Sequence, residues 1–332
     1  MNSYRATNNA INFEELKELR CSLKQKIEDK INRKNERPDS ILDYDEEIKE
    51  MNHQLEEINK LLAAEPPLPE LPPKQPVIKV SGVINDIETL FARGYFSDRE
   101  YDLEMFARQE SYRQWGSVLL AMIGESAAAT VTSQNENRES NAYDFVRGQI
   151  NGKPFHGWLG CCTAKIGDKV ELAAVDKGTY YEVYALVIPD LKTITTIPRC
   201  EYGALGKVIS NFWIGYIFSF FLAVVVFVYS VFTNGNFYTA IKLFGMAMLS
   251  VSIFMTAVGI ISGWRILKKP KPSVILAKNI FMALEMNSPD KVNLNKSTRK
   301  KLRAIKRNTN VTQKNDRIMP DKFHALNYYF YY

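Results

Sequence analysis

The feature that most constrains this chain is a stretch almost without charge: from Val208 to Ile241, and again from Leu243 to Trp264, no Asp, Glu, Lys or Arg occurs. Crossing about 30 Å of hydrocarbon takes roughly 20 apolar residues, and Ile209–Phe232 and Leu243–Trp264 are each long enough. The polar, turn-prone Thr233-Asn234-Gly235-Asn236 separates them. Residues 208–264 therefore predict a two-helix transmembrane hairpin. The alternative is a buried helix pair in a soluble domain, although soluble core helices usually run shorter and carry some charge.

Small residues fall on one face of each predicted span: Gly215, Ser219 and Ala223 in the first, Gly245, Ser252, Gly259 and Gly263 in the second. In lipid, small residues let helix backbones approach, and Gly259-Ile-Ile-Ser-Gly263 is a GxxxG pattern. These seven positions are expected to pack the two helices together; joining one copy of the chain to another is the alternative. Arg199 and Lys207 precede the hairpin, Arg265, Lys268, Lys269 and Lys271 follow it, and the loop between carries no positive charge. By the positive-inside rule, both termini would face the cytoplasm from an inner membrane.

The net charge of +6 is unevenly held. From Arg265 onward there are sixteen Lys/Arg against four Asp/Glu, so this tail is +12 and the remainder −6. Within it Lys296–Arg307 is strongly basic. Together with Lys268, Lys269 and Lys271, the residues Arg299, Lys300, Lys301 and Arg303 are expected to lie against anionic lipid, with nucleic-acid contact as the rival. The end, Tyr328–Tyr332, is expected either in the interfacial zone of a bilayer or as a loose terminus.

At the other end, Asn12-Phe-Glu-Glu15 has the form of a helix start, leading into Leu16, Leu19, Leu23, Ile27 and Ile31. After a break at Pro38-Asp39-Ser40, Tyr44, Ile48, Met51, Leu55, Ile58 and Leu62 recur at alternating steps of four and three, a heptad seam. Residues 1–64 thus predict a coiled-coil helical hairpin able to pair within itself or with a second chain. Proline fills six of the eleven positions Pro66–Pro76, which predicts an extended linker over 65–76, either a spacer or a docking motif. Residues 77–142 read as a helical segment followed by a loop.

From Tyr143 to Cys200 the period changes to that of strands. Five short β-rich runs are punctuated by Asn151-Gly152, Gly167-Asp168, Lys177-Gly178 and Pro189-Asp190. A small SH3-like or OB-like barrel over 143–203 removes the edges that a flat meander would expose. It lacks the basic, aromatic-interleaved run of a nucleic-acid binder, so nucleic acid is not expected as a partner.

The sequence assigns no catalytic residue, cofactor or metal. None of the P-loop, dinucleotide, HExxH, nucleophile-elbow or kinase patterns occurs. The four cysteines, Cys21, Cys161, Cys162 and Cys200, read as reduced thiols. His156 with Cys161 and Asp176 forms the one nucleophile-base-orienter set worth inspecting, against a plainer reading as a turn histidine and a buried thiol.

The segment Gln149–Cys200, with Gly157-Trp158, Gly167-Asp-Lys-Val-Glu-Leu172, Tyr180–Ala185 and the closing Pro198-Arg-Cys-Glu-Tyr-Gly203, resembles the barrel-and-hairpin region of bacterial type VI secretion system effectors. The resemblance covers about the middle half of the chain and carries no catalytic signature. It implies a Gram-negative origin and a part in antagonism between bacteria. The expectation is an α+β membrane protein without enzymatic activity: an effector or accessory of that system acting at the inner membrane. The alternative is a resident inner-membrane scaffold or sensor. Its partners would be the lipid bilayer and, through the coiled coil, a second copy or another protein.

Overall fold

The computed structural model describes residues 9–36, 41–104, 106–108, 111, 140–234, 237–307, 317–321 and 328–332. The loop expected over Ala127–Asn141 and the helical positions Tyr112–Met122 lie almost wholly outside them.

At the centre is a closed five-strand barrel. Its strands are β1 (Ile78–Tyr95), β2 (Ser140–Ile150), β3 (Lys153–Leu159), β4 (Lys169–Asp176) and β5 (Tyr181–Ile188). β1 pairs with β2 along one half and with β4 along the other, β2 pairs with β3, and β4 with β5, all antiparallel. A short parallel pairing, Phe155 with Tyr181 and His156 with Glu182, joins β3 to β5 and closes the ring. This Greek-key connectivity is that of OB-type barrels rather than of a simple meander. Two further strands extend the sheet beyond β5: β6 (Thr193–Thr196) and, from the chain's far end, β7 (Tyr329–Tyr331).

Closure depends on two glycines. A Cβ at Gly157 would stand 2.1 Å from the Val183 carbonyl oxygen, and one at Gly148 would stand 2.1 Å from that of Asp86, where β1 bulges. Any side chain at either place would hold the strands apart. The Asn151-Gly152 link between β2 and β3 has positive φ at both residues, the type I′ geometry that matches strand twist.

Two apolar layers use the two faces of the wall. The interior is filled by Val80, Ile84, Val146, Ile150, Phe155, Leu159, Leu172 and their neighbours. The outer face carries Tyr143, Phe145, Trp158, Val175, Tyr184, Val187, Ile194 and Phe330. It is covered by Phe13, by the short α3 (Asp98–Tyr101), and by Leu276, Ala277, Ile280 and Phe281 of α6 (Pro272–Ala283). The Tyr101 hydroxyl donates to the Pro198 carbonyl at 2.5 Å, fixing α3 to the far side of the sheet.

The helices α1 (Phe13–Glu36) and α2 (Ile41–Leu62) form an antiparallel arm, linked by the ion pairs Lys17–Glu65 at 2.6 Å and Lys30–Glu47. Its root is held to β1 by backbone bonds from Ile11 to Phe91 and from Arg93 to Ile11. A second antiparallel pair, α4 (Ala204–Asn234) and α5 (Phe237–Lys268), leaves the sheet at Gly203. The Gly203 amide bonds the Val292 carbonyl at 2.9 Å, and the Leu294 amide, at the start of α7 (Leu294–Arg307), bonds that of Glu201 at 3.1 Å.

Several expectations are corrected. A crossing needs an unbroken apolar run of roughly 20 residues, and among the described residues no helix is long and apolar enough to cross a membrane. The α+β membrane class, the transmembrane hairpin over 208–264 and the inner-membrane placement with both termini cytoplasmic therefore do not stand. The barrel is not the local unit of 143–203 either: one strand of its ring is Ile78–Tyr95, read from sequence as helical, and Thr193–Thr196 lies outside the ring. The bulge between Ile84 and Asp86, and the change of partner along β1, break the alternation that marks a strand. The chain's end is neither loose nor interfacial, because Tyr329, Phe330 and Tyr331 are buried in the sheet.

Candidate interaction surfaces

Three surfaces can meet a partner. The first is the helix pair α4–α5. Here Gly259 faces Phe212, whose ring carbon would lie 2.6 Å from an added Cβ, and Gly263 faces Val208 at 3.0 Å. Both glycines thus meet large residues of α4. Among the described residues nothing lies within 4 Å of a Cβ added at Gly245. The side chains of Ser219, Ala223 and Ser252, and the surroundings of Gly215, lie outside those described. Away from this seam Trp213, Ile217, Phe221, Tyr229, Leu249 and Ile260 are all exposed, Tyr229 by 70%. Large contiguous apolar patches on a protein surface mark sites of interaction.

The second surface is the barrel's outer wall, on which the proline-rich segment lies as a strap. The Trp158 indole N–H donates to the Pro67 carbonyl and the Tyr184 hydroxyl to the Glu70 carbonyl, both at 2.9 Å. The Glu70 amide donates to the buried Glu182 carboxylate at 3.0 Å, and the Glu70 carboxylate takes the Lys177 ammonium at 2.5 Å. Aromatic donors reading the carbonyls of an extended proline segment is a recurring mode of peptide recognition. Sequence left spacer and docking motif both open, and the structure shows the segment docked within its own chain. Lys177 holds the Glu70 carboxyl below its ordinary range. Beside the strap lies a cavity of about 390 Å³ lined by Pro67, Arg147 and His156 among others.

No family model, characterised protein or solved structure matches this chain.

The nucleophile-base-orienter set is not assembled for chemistry. His156 stacks on Tyr180 with ring centroids 4.5 Å apart, and burial lowers its pKa so that it is neutral near pH 7. Asp176 is committed to Lys153 at 2.5 Å and to the Gly178 amide at 2.7 Å. All four cysteines are free thiols, and burial pushes that of Cys200 far up. Among the described residues no group of three or more His, Cys, Asp or Glu side chains could hold a metal ion.

The third surface is basic. Lys268, Lys269 and Lys271 are exposed at and just beyond the end of α5, with Lys268 over the Trp264 ring at 4.0 Å. Arg299, Lys300, Lys301 and Arg303 project from α7, whose buried side carries Leu294 and Thr298. The Thr298 hydroxyl receives the Tyr331 amide at 3.0 Å, so β7 pins this helix to the sheet. The pinning was not legible beforehand, because its two partners lie far apart in the chain and neither belongs to a motif.

Proposed function

We propose that this chain is a non-enzymatic, self-associating scaffold. A closed barrel holds two helical hairpins, of which α4–α5 joins copies and α1–α2 carries a partner. The observation that supports this reading is the set of exposed large apolar side chains on α4–α5. The arm adds to it. Along its seam Leu23 and Ile58 are buried, while Leu19 and Ile31 are 47% and 43% exposed, room for a further helix.

Sedimentation of the full chain in buffer free of amphiphiles tests this. Oligomers at about 10 µM that become monomers in the Ile217→Glu, Phe221→Glu double variant, with unchanged circular dichroism, are expected. A wild-type monomer would overturn the reading, and so would a chain that stays dispersed only when detergent or lipid vesicles cover it. The part in bacterial antagonism is a second proposal, supported by the resemblance over Gln149–Gly203. Growth arrest of a susceptible cell on expression of the chain would favour it.

A further inference from the structure

Between the end of α6, the start of α7 and Tyr332 lies a cavity of about 540 Å³, a size usual for small-molecule sites. Lys291, Lys296 and Lys300 line it, with the Ser297 hydroxyl, and none of the three ammonium groups has a carboxylate partner among the described residues. The one carboxylate side chain on the lining, Glu285, is bound by Lys79 at 3.0 Å. Lys296 and Lys300 stand four apart on one helix face, a spacing at which like charges repel. Lys291 lines the cavity from the preceding turn.

The same wall presents the N-terminal end of the fourteen-residue α7, where the backbone dipole adds positive potential. Asn293 caps that end through its side-chain oxygen, at 2.9 Å from the Lys296 amide. The floor is apolar, formed by Leu284 and Leu294. Three exposed cations around a concave, partly apolar space offer the charge to hold a polyanion that also has an apolar part.

We propose that this cavity binds a soluble phosphate ester of nucleoside-diphosphate type, the phosphates on Lys291, Lys296 and Lys300 and the apolar moiety against Leu284 and Leu294. The proposal is independent of self-association, because none of these residues belongs to α4–α5. Calorimetric titration of the full chain with ADP, and separately with inorganic pyrophosphate at the same ionic strength, tests it. One ADP per chain is expected, with pyrophosphate weaker for want of the apolar contact. Lys296→Gln with Lys300→Gln should weaken ADP at least tenfold, whereas Lys301→Gln with Arg303→Gln, on the same helix but outside the cavity, should change it less than twofold. Equal losses from the two pairs would reduce the effect to the diffuse field of α7 and overturn the site. Absence of saturable ADP binding, or binding to anionic vesicles alone, would overturn it as well.

Discussion

Gly157 and Gly178 show how differently two glycines of one barrel are constrained. At Gly157 an added Cβ meets the Val183 carbonyl at 2.1 Å, next to the short pairing that closes the ring. At Gly178 it would meet nothing within 4 Å, and only the φ of +83° resists a side chain. Gly157→Ala should therefore lower stability by about 3 kcal/mol, the range of overpacked cores. Gly178→Ala should lower it by roughly 1 kcal/mol, the strain of left-handed backbone. Urea midpoints of the two variants decide the matter, and equal losses would mean the ring is not closed through Gly157. Glu70 gives a pH dependence. Because Lys177 depresses its folded-state pKa below the ordinary 4.5, the unfolded chain takes the proton first on acidification. Stability from the pair is complete above that ordinary value and lost as pH falls through the folded one. Stability measured from pH 6 to pH 3 should fall less steeply in Glu70→Gln than in the native chain. Parallel curves would show that the strap gains nothing from this pair. The effect is small, since solvent screens a side chain this exposed.

Among the elements, the α4–α5 pair carries the sharpest contrast between its own glycines. Gly259 is closed off by Phe212 and Gly245 is open, although both share the small-residue face read from sequence. Gly259→Leu should pry the helices apart and lower the melting temperature by several degrees, at about 2–4 °C per kcal/mol for a chain of this size. Gly245→Leu should leave it within a degree. If both variants melt alike, the small residues do not set the packing of the pair. The strap belongs to the same scale. Its prolines make it extended by themselves, but its place on the wall is set by the indole of Trp158 and the hydroxyl of Tyr184, which lie on two different strands.

For the whole molecule, β7 is the piece that ties the chain's far end to its middle. It pairs with β6 through Thr193, Ile194 and Thr195, sets Phe330 fully inside the outer apolar layer and holds α7 through Thr298. Removing residues 328–332 should uncover the edge of β6 and the face of Ile194. Burial of each large side chain stabilises by roughly 1.5–3 kcal/mol, so the truncated chain should unfold at markedly lower urea and scatter light as open edges pair between molecules. An unchanged midpoint would make the strand an ornament. By itself the sequence determined what short-range chemistry can determine. The heptad seam made the α1–α2 arm, proline made the strap extended, Asn151-Gly152 made the β2–β3 turn, and the charge-free stretch made two long helices. The tertiary structure alone decided that an irregular, bulged Ile78–Tyr95 completes the ring, that the strap lies on the wall, that Tyr329–Tyr331 is a strand, and which glycines are enclosed. Each of these rests on pairing between residues distant in the chain. Such pairing leaves no local period to read, because the partner supplies half of the hydrogen bonds and half of the burial.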